Sequence, residues 1–382
     1  MNSDPFDLLI HAGRIVCPQT GRDSPGRVGV SGQTIAAIDP PDDSPARRTL
    51  DFPDAILLPG LLDLHAHPAC SGSKHGVDPD REFLPRGVTT VLSQGDAGAD
   101  NWANYRDETI RGSRTRVRLA ISISRLGEST QRPCLDDPDW LDVDACVQAI
   151  TDGGPLIWGI SINCSRASSG STDPRLALDR ALQAANSTDR PLLYGLREPD
   201  DWPFAEQFDR LRPGDVVTYS FRSEPHGIVA GGRVRPEVLA ARQKGVLFDV
   251  GHGMGSLDFN ELEAALGEGF APDTISTDQY SSHIGSTPQH DLPRTLSKLL
   301  AAGMPEADIF AAVTTRPARI LGLDDQAGRL RPGAPADLTL IEFRHDAAPL
   351  ADVHGTTRPG GCYEPVLTLR AGHPLAPDGT SG

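Results

Sequence analysis

Over the first fifty positions, short runs of apolar and β-branched residues are separated by turn formers: residues 7–17 and 28–38 read as strands, 19–26 as turn-rich and 40–46 as a loop. From residue 55 the pattern changes. Apolar runs at 56–64, 89–92, 117–123, 156–162, 191–196, 215–221, 245–250 and 273–276 alternate with longer stretches whose apolar residues recur at helical spacing, as at 102–112, 143–151, 174–186, 235–244 and 256–266. That alternation predicts βα units on a parallel sheet, and eight such strands close a barrel. Two more helical stretches, 292–302 and 305–316, follow the eighth run.

After residue 323 the texture returns to turns and strands, at 328–340 and 366–370, with 345–361 reading as loop. Neither terminal piece is long enough to bury a core alone. Pairing them solves this, so the predicted architecture is α/β: a (β/α)8 TIM barrel over 55–323, with a small β-sandwich-like domain made from 1–54 and 324–382.

Composition narrows the partners. The 382 residues carry a formal net charge of -16, which excludes nucleic acid and anionic membrane surfaces as natural partners, since both need a positive face. No run of about 18 apolar residues is present, and no basic-then-apolar leader opens the chain. The six cysteines are scattered without a Cys-x-x-Cys pair, which fits a reducing, cytoplasmic setting. A small-molecule substrate is the expected partner, and a homo-oligomer stays open.

The chemistry begins at His65 and His67, at the end of the apolar run that follows Pro59-Gly60. On a strand, side chains at i and i+2 face the same way, so two neutral imidazoles at a strand tip make half of a divalent-metal site. The bland alternative is a pair of surface histidines on a strand edge. Later in the chain come Gly87-Val88-Thr89-Thr90-Val91, Ala97-Gly98-Ala99-Asp100-Asn101, Ser113-Arg114-Thr115-Arg116-Val117, Phe248-Asp249-Val250-Gly251-His252-Gly253 and Pro272-Asp273-Thr274-Ile275-Ser276-Thr277-Asp278. Together with 59–67, in this order and spacing, these motifs resemble the amidohydrolase superfamily, within it the amidohydrolase/deacetylase group similar to dihydroorotases.

The resemblance implies a two-metal hydrolase, with one ion on the strand-1 histidines and the strand-8 aspartate. The other ion would sit on histidines ending strands 5 and 6, with a carbamylated strand-4 lysine between the two. This chain departs at three places: Ser161 stands where the lysine is expected, Gly195 where the strand-5 histidine is expected, and Tyr219 where the strand-6 histidine is expected. The only lysines are Lys74, Lys244 and Lys298, none of them on strand 4.

What remains is His65, His67 and Asp278, two imidazoles and a carboxylate, enough for one catalytic divalent ion, with Zn²⁺ the expected one. Asp278 would also take the proton of the attacking water. His252 at the strand-7 tip reads as a substrate contact, and Tyr219 as a donor toward substrate or as filler for the lost ion. His75, His226 and His283 fall in loops on the same face and read as solvated loop histidines that could replace a ligand. Cys164, after strand 4, reads as a buried small hydrophobe. The expected function is hydrolysis of an amide, or of an ester or cyclic amide, with water activated on one ion. The alternative is a non-hydrolytic descendant binding a small ligand or a protein in the old cavity.

Overall fold

A computed structural model describes residues 4–287 and 290–377. Seven strands pair in parallel to form the barrel wall: β5 (Leu61–Ala66), β6 (Val88–Gln94), β7 (Arg116–Ser122), β8 (Ile157–Asn163), β9 (Leu192–Gly195), β10 (Val216–Thr218) and β11 (Leu247–Phe248), in that spatial order. Each lies between the barrel interior and the surrounding helices. That is why β5 and β6 are buried at every position, with the polar residues they carry buried as well.

The eighth run, 273–276, and the three residues after it close the ring with isolated parallel bridges. Thr274 pairs with Asp249 after β11, and Gln279 pairs with Ala66 at the tip of β5. The Asp278 N–H donates to His65 O at 2.7 Å, and the His67 N–H to Gln279 O at 3.0 Å. Leu62, Leu64, Leu92, Ala120, Trp158, Leu193 and Val216 fill the interior below, against Ala318 and Leu321. The C-terminal strand ends are thereby left as the chemically active rim.

The termini form a second seven-stranded sheet. β1 (Phe6–Cys17), β2 (Arg22–Ser31), β3 (Thr34–Ile38) and β4 (Ala46–Pro59) join β12 (Leu338–Arg344), β13 (Cys362–Arg370) and β14 (His373–Leu375), in the order β14-β13-β12-β4-β1-β2-β3. The β4–β12 pair is the seam between the two ends of the chain, with Leu57 opposite Leu340. One core serves both sides: Ile10, Ile15, Val28 and Val30 pack with Leu338, Leu340 and Leu369. The outermost positions of the terminal pieces, 1–3 and 378–382, lie outside the described residues.

Local differences from the sequence pattern have physical causes. The run at 56–64 is two strands, split at Gly60, where a Cβ would meet the Thr89 side chain at 2.2 Å. The run at 215–221 stops at Thr218 because Tyr219 adopts φ +62° and turns the chain. The stretch at 102–112 is helical only as Trp102–Tyr105 and then continues as a π-helix, Arg106–Ile110. Within 345–361, read as loop, Leu350–Ala351 pairs with Thr357–Arg358, and the buried Asp352 accepts the Phe259 N–H at the start of the helix Phe259–Gly267. Among the described residues no helix is long and apolar enough to cross a membrane, and all six cysteines are free.

Candidate metal centre

His65 and His67 leave the tip of β5 on the same side, and Asp278 arrives from the closing segment. Asp278 adopts φ +51°, a left-handed conformation uncommon outside glycine, and is locked there by its N–H to His65 O. His65 Nε2 lies 3.2 Å from Asp278 Oδ1, and His67 Nε2 lies 3.4 Å from the same oxygen. Both His65 Nε2 and Asp278 Oδ1 are buried without a hydrogen-bond partner, an arrangement a fold avoids unless something occupies the gap. Zn²⁺ bonds of about 2.0–2.2 Å to nitrogen and carboxylate oxygen give tetrahedral donor spacings of roughly 3.3–3.6 Å. The observed 3.2 Å and 3.4 Å lie just below and within that range, so the three side chains fit a divalent ion. Among the described residues no other trio of histidine, cysteine or carboxylate side chains converges in this way.

Each imidazole is oriented from behind. His67 Nδ1 meets Asp96 Oδ1 at 2.9 Å, and Asp96 is itself held by Ser93 and Ser73. His65 Nδ1 meets Thr218 Oγ1 at 2.6 Å, and Thr218 donates in turn to Asp249 Oδ2 at 2.9 Å. Asp249 also accepts from Thr274 and Ser276, so one carboxylate ties together the tips of β10, β11 and the closing segment. Such partners fix the ring's tautomer and direct Nε2 at the ion.

Gly251 makes this possible: a Cβ there would lie 2.1 Å from Thr218 Oγ1, and its φ is +53°. Gly253 does the same for Asp278, whose Oδ2 would be 2.6 Å from an added Cβ.

The electrostatics ask for positive charge at the centre. Burial opposes protonation of the two rings, but Asp278 and Asp249 around His65, and Asp96 and Asp278 around His67, outweigh it and raise them to about 9 and about 10. Burial pushes the Asp278 carboxyl up, yet the two rings hold it well below the usual carboxylate range. Asp63, tied to Thr277 by its N–H and hydroxyl, is raised to about 7 by burial.

The structure therefore brings His65, His67 and Asp278 together, with Tyr219 beside them: its ring meets His65 edge-on at 4.9 Å. His252 lies at the same rim but is fully buried. Its Nδ1 donates to Gly253 O at 2.7 Å and its Nε2 lies 2.9 Å from Lys298 Nζ, which uses both ring nitrogens within the protein. Ser161 lies two residues before the end of β8 and Gly195 ends β9, and Gly195 faces Asn163, whose Oδ1 would be 2.7 Å from an added Cβ. His75 lies 5.0 Å ring to ring from His67, while His283, read from the sequence as solvated, is buried, tilted against Tyr280 and hydrogen-bonded to His290. His226 has its N–H on Ser223 O, and Cys164 is buried with its thiol pushed up to about 12 by burial. Asp96, Thr218 and Asp249 had not been singled out from the sequence. Their signal was a polar residue at a strand tip where an apolar one was due.

Comparison with known proteins agrees with this architecture. The sequence model of the amidohydrolase family matches residues 251–368. A deacetylase of Enterococcus faecalis is 30% identical over 92% of this chain and 94% of its own length. A deacetylase of Agrobacterium fabrum is 31% identical over 83% of this chain and 77% of its own. Among solved structures, an adenine deaminase superposes with a TM-score of 0.87 at 28% identity, covering 97% of this chain and 100% of that one. A dihydroorotase superposes at 0.85 and 26%, covering 97% and 98%. With two supported histidines and an aspartate at the rim of such a barrel, and relatives matched along nearly its whole length, the chain belongs to the amidohydrolase superfamily.

Proposed function

We propose that the protein hydrolyses an amide bond, with esters and cyclic amides as related substrates, using one divalent ion, Zn²⁺ by its donor set, held by His65, His67 and Asp278. The observation that supports this reading most directly is the convergence of two orphaned buried atoms, His65 Nε2 and Asp278 Oδ1, with His67 Nε2. When bound, the ion supplies Lewis acidity that lets water ionise near pH 7.

The protein's own groups do the rest. Asp278 has a division of labour built into its carboxylate: Oδ1 faces both imidazoles, which leaves Oδ2 to take a proton from the attacking water and deliver it to the leaving nitrogen. Asp96 and the Thr218–Asp249 pair hold the rings so that their Nε2 atoms stay aimed while charge develops. Tyr219 lines the rim where the scissile group would lie and offers its hydroxyl to the substrate. His252, with both nitrogens engaged, shapes the site instead through the turn that carries Gly251 and Gly253. The intact supports behind both imidazoles favour a working site over a purely ligand-binding descendant, which would not need them.

The test is elemental analysis of protein purified without added metal, followed by a screen of N-acyl amino acids, O-acyl hydroxy acids and cyclic amides with Zn²⁺ supplied. Close to one ion per chain and turnover lost on chelation are the expected results. Turnover that survives both His65→Ala and Asp278→Asn would refute the mechanism. No turnover on any member of the panel would favour ligand binding.

A further inference from the structure

Three residues beyond Tyr219, Arg222 sits at the same rim in an arrangement that hydrolysis on a single ion leaves unexplained. Its guanidinium carbon lies 4.7 Å from the centre of the Tyr219 ring, and its Nε donates to Ser256 Oγ at 3.2 Å. No carboxylate among the described residues lies within 4.0 Å of it, and none of them offers an acceptor to either Nη or a hydrogen-bond partner to Tyr219 Oη. Most other arginines here do have a carboxylate at hand: Arg14 has Asp23, Arg166 has Asp200 and Asp201, and Arg358 has Glu263. Arg222 is half-buried at the rim with its Nη groups open, so the fold presents a cation there without neutralising it, as a site for an anionic group would require.

The position indicates when that charge arrives. The Tyr219 ring lies between Arg222 and His65, its centre 4.7 Å from the Arg222 guanidinium carbon and 4.9 Å from the centre of the His65 ring, so the guanidinium stands one aromatic ring away from His65. Tyr219 also occupies the position where the family resemblance places a histidine ligand of a second ion. We propose that Arg222, together with the Tyr219 hydroxyl, supplies the positive charge that a second metal ion would otherwise bring, by holding the oxyanion formed on the scissile carbonyl. This rests on the hydrolase reading above.

In the step, the water oxygen bonds to the acyl carbon as its proton passes to Asp278 Oδ2. The carbonyl π pair moves onto oxygen, where the Arg222 and Tyr219 donors receive it. When that pair returns, the C–N bond breaks and the proton leaves with the amine. Donors preplaced where charge develops, in a water-poor site, act on the transition state more than on the ground state.

Arg222→Met is expected to lower kcat by about 10²- to 10³-fold with KM nearly unchanged, the loss typical of one oxyanion donor. Arg222→Lys should recover part of it, since the charge returns without the fork. In Arg222→Ala, added guanidinium chloride at non-denaturing concentration should restore activity, which a merely structural role would not allow. Independently of turnover, isothermal titration should show methylphosphonate, a tetrahedral anion, losing at least tenfold in affinity in Arg222→Met while neutral, planar acetamide is unaffected.

A rise in KM at constant kcat, or equal losses for both probes, would overturn the proposal and make Arg222 a substrate anchor or a packing residue. If the zinc-loaded wild type turns over no acyl substrate, the hydrolase reading fails instead. The phosphonate titration then decides Arg222's affinity for tetrahedral anions separately.

Discussion

The barrel rim has two halves that treat their polar residues differently. Around His65, His67 and Asp278, every group facing the centre is backed by a second, drawn partly from across the barrel: His67 by Asp96, His65 by Thr218 at the tip of β10 and by Asp249, Asp278 by the His65 carbonyl. On the side of β8, β9 and β10, Ser161, Gly195 and Tyr219 stand where the family resemblance would place a second ion's ligands, and the space beside them is filled. Asn163 crowds Gly195, and Tyr219 packs against His65 with Arg222 above it. A decaying site would be expected to lose its supports along with its ligands. Here the supports converge on His65, His67 and Asp278, while the groups at Ser161, Gly195 and Tyr219 carry no such backing toward a common centre; on the reading proposed above, the first set is maintained for binding and the second serves packing and charge.

The sharpest way to break this comparison is to remove the proton acceptor from the maintained half. Asp278→Asn preserves shape but not basicity, and activity should fall by about a hundredfold or more, within the roughly 10²- to 10⁴-fold range of general acid–base catalysis. Ser161→Ala, on the β8 side, should change kcat/KM by less than about threefold, since Ser161 itself takes no proton and holds no developing charge. Steady-state kinetics on the best substrate from the panel checks both. A comparable loss in the two variants would erase the distinction between the halves.

One step weaker are the supports. Asp96→Asn and Thr218→Val leave all three metal-facing atoms in place but loosen the rings, so metal affinity should drop about 10- to 100-fold, measured by competition with a chromogenic chelator. Unchanged affinity would mean that the backbone alone aims the imidazoles. Gly195→His tests the other side. Because Asn163 already fills the space beside Gly195, the variant should lose stability and still bind no second ion, as elemental analysis and a thermal melt would show. Two ions per chain at full occupancy would show that the remodelled half keeps latent ligands.

The architecture and the three central residues were legible because they are local or periodic signals. Strand runs alternate with helical spacing, His65 and His67 share a face by their i,i+2 spacing, and Asp278 ends a motif. The supports were not legible because hydrogen bonding across a barrel ignores sequence distance. His67 and Asp96 are 29 residues apart, His65 and Thr218 are 153 apart, and nothing in either local pattern announces the pairing. Lys298 is the clearest case. In the sequence it counts only as a lysine absent from strand 4, on a helix whose Leu292, Leu296 and Leu299 face inward. In the fold it points inward with them and meets His252.

That contact gives the smallest expected effect. Lys298 is 1% exposed and its amine is pulled down from 10.5 to about 7, by burial first and by Arg294 second. Between pH 7 and 10.5 the unfolded chain therefore holds a proton at this lysine that the folded chain has released. Stability must rise with pH across that window, by up to about 1.4 kcal/mol per pH unit from this one group. Below pH 7 both states are protonated and the dependence vanishes. His252 is already held neutral by burial and by the neighbouring amine, so it adds no slope of its own there. Comparing denaturant midpoints of wild type and Lys298→Met from pH 7.5 to 9.5 isolates the term, because the remaining titrations are common to both proteins. The wild type should gain on the variant as pH rises. A flat difference would mean that Lys298 keeps its charge when folded, with His252 and the turn around it serving as a buried cation site, and the strand-7 tip would then belong to the remodelled half of the rim.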